Sequence, residues 1–171
     1  MSLDLPAWFN GGWVDVEDLI CDLFTWLLVD ANPEIPVVTW LEDEWYKDPF
    51  PVIRVHRASG RTHADLPLDN AVVQIAVLSR SRKESWELIG FVRQVMAACS
   101  GGFKVPRSSF KENGERDRTQ ISSVDEWSGP IQSPDEFIDD RLVTVSYRVL
   151  VRGDRFHTPD RYRQILETLP Y

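Results

Sequence analysis

The chain has 171 residues, 43% of them hydrophobic, enough for one domain with a sizeable core. Its net charge of −8 is uneven: residues 1–50 hold eleven acids and one base, Lys47, while the remainder is close to neutral at +2. That balance argues against sequence-independent DNA binding, which requires clustered Lys and Arg; the segregation is that of a solvated acidic face in the first instance, and also of a protein that stacks against neighbours of complementary potential.

The start is acidic and interrupted by Pro6, unlike a signal peptide. The apolar run Leu23–Val29 is bracketed by Asp22 and Asp30 and is far short of the roughly 20 residues that span a bilayer. A soluble, non-secreted protein is expected. Cys21 and Cys99 both fall in predicted helices and read as free thiols.

Residues 1–13, with Trp8, Phe9, Gly11, Gly12 and Trp13, form an aromatic and glycine-rich arm. Asp15 then caps a helix over 15–30, whose apolar stripe is Val16, Leu19, Ile20, Leu23, Phe24 and Leu27. Asn32-Pro33 stops it. Residues 36–41 read as a strand, followed by the acidic segment Glu42-Asp43-Glu44-Trp45-Tyr46-Lys47-Asp48. Residues 52–57 form a second strand, and Ser59-Gly60 marks a turn.

The stretch from Asp69 to Gly102 is the most strongly signalled unit. A β-branched strand over 71–78 leads through Ser79-Arg80 to a capping box, Ser81-Arg82-Lys83-Glu84. A helix follows, its stripe Leu88, Ile89, Val92, Val95, Met96 and Cys99, with Gly101 as its left-handed stop. Residues 104–118 are irregular and mixed in charge, which predicts a mobile loop, with a hairpin around Asn113-Gly114 as a further option.

A strand is expected over 119–127, and Ser133-Pro134-Asp135-Glu136 begins a helical turn. The alternation in 141–152 sets Val143, Val145, Tyr147, Val149 and Val151 on one face; Thr144, Ser146, Arg148 and Arg152 lie on the other. Residues 153–171 form a tail with a short helix from Thr158 to Leu166. The sum is an α+β domain: a mainly antiparallel sheet of about five strands with two amphipathic helices packed on one face.

Chemistry is sparsely signalled. His56, His63 and His157 lack zinc-site spacing with one another or with the cysteines, and no phosphate loop, Gly-x-Ser-x-Gly or Cys-x-x-Cys occurs. Neither Glu-x-Lys nor Asp-x-Lys is present, so Glu42, Asp43 and Glu44 read as a solvated loop. No catalytic, metal or cofactor site is expected. Seven tryptophans are many for this length, and Trp8, Trp13, Trp45 and Trp127 lie outside the core stripes. Such residues are either satellite core or interface anchors.

The order of elements resembles the tail terminator (tail completion) proteins of long non-contractile-tailed bacteriophages, notably those of actinobacteria. The residues that carry the resemblance are Pro51–Arg57 before Ser59-Gly60, Asp69–Val77, the helix with Leu88, Val92-Arg93 and Val95-Met96, and the strand Leu142–Val151. It spans about residues 14–152; the tryptophan-rich start and the tail after Gly153 depart from the family pattern. The resemblance implies a structural virion protein at the head–tail interface, assembled in the host cytoplasm. Copies of the chain would form a homohexameric ring by edge-to-edge contact. The ring would cap the tail tube protein, end its polymerisation and meet the head connector or head-closure protein, without cofactor, membrane or sequence-specific nucleic acid. Candidate interface residues are Glu42, Asp43, Glu44, Trp45 and Tyr46 in the acidic segment, Lys111, Arg116 and Arg118 in the loop, Trp127, and Phe156 and Tyr162 in the tail. Another neck or minor tail component, or a small enzyme, are the alternatives.

Overall fold

In the computed structural model, residues 13–41, 51–63, 66–110, 114–132 and 142–153 and Glu167 are described. The first helix, α1 (Val16–Leu28), starts where Asp15 breaks from helical geometry and its carboxylate accepts the amides of Glu17 at 2.9 Å and Asp18 at 3.3 Å. Asp15→Ala removes that cap and should lower stability by about 1 kcal/mol, read as a lower urea midpoint with an unchanged slope.

Six strands follow: β1 (Val37–Val38), β2 (Val52–Thr62), β3 (Leu68–Leu78), β4 (Phe103–Phe110), β5 (Arg116–Gln132) and β6 (Val143–Arg152). The second helix, α2 (Arg82–Ala98), lies between β3 and β4. Their order in the sheet is β1-β2-β3-β6-β5-β4. β1 runs parallel to β2, and the other pairs are antiparallel. The expected count of about five strands is therefore one short, and the sheet is mixed.

Alternation sets the core. Ile53 and Val55 of β2, Ala71, Val73, Ile75 and Val77 of β3, and the five residues at odd positions of β6 are all buried in one cluster with both helices. The helices share that side of the sheet and touch through Phe24 and Phe91, whose ring centroids are 6.2 Å apart. The sheet curls as a half-barrel, so α1 meets strands at both ends of it: β1 and β2 on one side, β4 on the other. Glu17 accepts the backbone N–H of Arg57 in β2 at 2.6 Å, and Asp22 accepts that of Ser108 in β4 at 3.3 Å. The Asp22 carboxylate also pairs with Arg107 at 3.3 Å.

Several expectations need correction. Ser59-Gly60 is no turn: β2 continues to Thr62 through a bulge between Arg57 and Ser59, and the chain reverses after His63, whose N–H reaches the carbonyl of Leu68. Gly60 is needed there because its φ is +132° and it lies against the backbone of Ala71. Ser81 does cap α2, accepting the Glu84 amide at 3.3 Å, but the left-handed glycine after the helix is Gly102 at φ +92°, not Gly101. A side chain at Gly102 would crowd the carbonyls of Ile121 and Ser122.

In α1, Leu27 is exposed and Leu28 is buried, the reverse of the predicted stripe. The chain turns back directly after Leu28, with the Asn32 amide on the Leu28 carbonyl and Ile35 packed against the core cluster. The 104–118 stretch is mostly ladder: β4 and β5 pair from Phe103↔Ile121 to Phe110↔Arg116, a hairpin whose connection includes Gly114 at φ +80°. The predicted turn at 133–136 and the helix over 158–166 lie outside the described residues, as does the arm before Trp13. Trp13 itself packs over Gly153, where the first and last parts of the core meet.

Candidate protein-interaction site

Of the described helices, α1 and α2 both lie on one side of the curled sheet, and neither covers the other side. Cross-strand register places Arg61, Asn70, Leu150 and Ser123 in one row there, Val72, Arg148 and Asp125 in the next, and Arg152, Gln120 and Lys104 beyond the first. Arg118, opposite Pro106, shares this face, since its neighbour Thr119 pairs with the buried Val105. Most side chains near the middle of this face are short, and its large exposed groups are basic or aromatic.

Trp127 is the bulge residue between Glu126 and Ser128 and is 57% exposed. The extra residue turns its ring onto the open face, where the Arg148 guanidinium stacks 3.4 Å from the ring centroid. On the helix side, Arg93 of α2 grips Glu126 with two bonds of 2.9 and 3.1 Å. Gln132 similarly accepts from Arg82 and from the indole of Trp86. Thus β5 is clamped to α2 at Glu126 and Gln132 while Trp127 projects the other way.

Of the residues selected from sequence, Arg116, Arg118 and Trp127 are described. Arg116 and Arg118 stand at the start of β5; a guanidinium nitrogen of Arg116 donates to the carbonyl of Arg107 at 3.3 Å. Trp127 is nine residues further along the same strand, about 30 Å at the usual rise. One strand therefore carries all three, but they do not form one cluster. Glu42, Asp43, Glu44, Trp45, Tyr46, Lys111, Phe156 and Tyr162 lie outside the described residues.

Arg148, which stacks on Trp127, and the other basic residues of this face were not selected as candidates. Arg148 and Arg152 were legible as the polar side of β6 by alternation alone. Arg61 and Lys104 required the register of β2 and β4, which no local pattern carries.

Further exposed apolar residues are Trp26, Leu27 and Val29 on α1 and Trp40 after β1, which is 71% exposed. The return from α1, Pro51 before β2 and the first turns of α2 line a groove of about 460 Å³, with Glu34, Glu84, Glu87 and Arg80 as its charged residues and Ile35, Leu88 and Phe91 as its apolar ones.

The thiols are chemically quiet. Burial, reinforced by Asp18 and Asp22, pushes the Cys21 thiol up to about 12, so it is protonated at neutral pH. Burial raises Cys99 as well, and both cysteines are free. Burial also raises the Tyr147 phenol, next to Glu126. Among the described residues no group of three His, Cys, Asp or Glu is placed to hold a metal, and no helix is long and apolar enough to cross a membrane.

The architecture is that of an α+β half-barrel domain with its helices inside the curl and a basic, aromatic sheet face outside it. The chain belongs to the phage tail termination protein family, whose model matches residues 12–158. That span contains every strand and both helices. No curated protein matches the chain. The family is a structural one, and membership gives the chain a structural role in the phage tail.

Proposed function

We propose that the chain ends the growth of the tail tube as a ring of six copies, caps the last layer of tube protein and presents its far surface to the head-side connector. The match to tail termination proteins over residues 12–158 is the observation that carries this reading. The work is done by binding without catalysis, and copies assemble in the host cytoplasm before they become part of the virion neck. Exposed tryptophans on opposite sides of the domain, Trp26 on α1 and Trp127 on the open sheet face, support contacts with more than one neighbour.

The β4–β5 hairpin end is the part of the fold proposed to meet the tube. Arg116 and Arg118 are exposed there, beside the acidic residues Glu115 and Asp117. In a phage carrying Arg116→Glu with Arg118→Glu, infectious titre should fall by about tenfold or more. Electron micrographs should show over-long or headless tails, while the purified variant melts near the wild-type temperature. Tails of normal length joined to heads would remove the hairpin from the tube contact.

A further inference from the structure

The two signs of charge are carried by opposite sides of this fold. Among the described residues of the open sheet face, Arg61, Arg148, Arg152 and Lys104 stand against one acid, Asp125. They sit on β2, β6 and β4, which with β3 and β5 between them span about 19 Å at the usual strand spacing. Trp127 and Ile131, 57% and 53% exposed, supply apolar surface next to this patch.

The acids cluster around α1. Glu17 and Asp22 are committed to the strands beneath them. Asp18, Asp30 and Glu34 are exposed. Crowding is evident at Asp18, whose carboxyl is raised by partial burial and then by Asp15, Asp22 and Glu17, with Arg107 opposing. Trp26 and Val29, 48% and 54% exposed, lie among these acids as the apolar part of the surface.

Because the helix fills the inside of the curl and the basic patch lies outside it, one molecule cannot bring the two surfaces together. Two molecules can. The sheet edges are less open to a neighbour, since α1 carboxylates already occupy the backbone amides of Arg57 and Ser108.

We propose that the open sheet face of one copy binds the outer face of α1, with the turn that follows it, on a second copy of this chain. The contact joins unlike surfaces, so each copy keeps one of each to offer, and repetition closes into a ring when the rotation between copies allows. Arg148 and Arg152 face Asp30 and Glu34 of the next copy, and the Trp127–Ile131 surface covers Trp26 and Val29. This rests on the ring reading above and replaces the edge-to-edge contact implied by the family resemblance.

The test is sedimentation velocity of the full chain over a concentration series in low and high salt. Three samples accompany the wild type: Arg148→Glu with Arg152→Glu, Asp30→Lys with Glu34→Lys, and the two double variants mixed. Wild type should associate in low salt and dissociate in high salt. Each double variant alone should associate about 100-fold more weakly, and the mixture should recover the association. A wild type that stays monomeric throughout, a sheet-face variant that associates like wild type, or a mixture without recovery overturns the proposal. So does a duplex DNA oligonucleotide that dissociates the wild-type copies and loses its binding in the sheet-face variant, since the occupant is then nucleic acid. Electron microscopy of tails separates this failure from failure of the ring reading. Normal terminal rings built from the sheet-face variant leave tail termination standing and discard this interface; wild-type tails without the chain at their end discard the ring.

Discussion

Arg57→Leu should destabilise the protein by about 3 kcal/mol or more, because it strands a buried carboxylate. Asp69 is 1% exposed, and both its oxygens are held by the Arg57 guanidinium at 2.6 and 2.8 Å. The pair spans the β2–β3 ladder on the core side, where Arg57 follows Ile53 and Val55 by plain alternation and lies opposite the buried Val73. Its hydrogen bonds to Asp69, foremost, raise the already high pKa of Arg57, so the guanidinium is charged at any pH at which the protein is handled. The loss should lower the melting temperature by about 10 °C for a domain of this size. Pairing Arg57→Leu with Asp69→Leu should recover most of the loss, since the penalty comes from the unpaired charge. Urea titration of the single and double variants measures both. A single variant within about 1 kcal/mol of wild type would show that water reaches Asp69 once the guanidinium is gone.

Gly60→Ala should cost about 3 kcal/mol or more at a site without any side-chain contact to lose. A methyl group there would stand 2.5 Å from the carbonyl oxygen of Asn70 and 2.7 Å from the Ala71 Cα, at φ +132°. Both neighbours are backbone in the paired strand, so neither can swing aside. Gly90→Ala gives the contrast: it lies within α2 with nothing near its added carbon, and should stabilise by about 0.5–1 kcal/mol. Opposite signs for the two substitutions in the same urea series are the expected result. Equal small effects would mean that β2 and β3 separate at Gly60 without loss elsewhere.

These two sites also show where the sequence stops being readable. Periodicity located α1, α2, β3 and β6 because each has a face that must be buried, and caps at Asp15 and Ser81 fixed where the helices begin. Ser59-Gly60 carries ordinary turn chemistry, yet the same glycine serves an extended strand whose bulge reverses side-chain direction. Local composition cannot tell these apart, because the deciding neighbour, Ala71, is eleven residues away. The 104–118 region was legible only as a choice between mobile loop and hairpin, and the hairpin is the one that forms. Its mixed charges look like loop, while its strand character comes from pairing with β5.

The candidate surface was half legible. Trp127 stood out as an aromatic without a core stripe, and Arg148 and Arg152 as the polar side of a clear strand. Their convergence depends on a strand order in which β6 comes between β3 and β5, a long-range fact. Lys104 and Arg61 join the patch only through that order.

The attachment of α1 to both sides of the curl has a consequence for how the chain acquires its shape. Glu17 reaches a partner 40 residues later in the sequence, and Asp22 one 86 residues later. Synthesis runs from the N-terminus, so α1 emerges before the strands it packs on and cannot complete its surroundings until β4 exists. Such distant partners are entropically expensive to bring together and slow a chain's search for its native state. Until then the helix must keep an apolar stripe, Val16 to Phe24, uncovered on one flank. The acids at 15, 17, 18 and 22 beside that stripe give the nascent segment a strong like charge, which keeps copies apart during the wait.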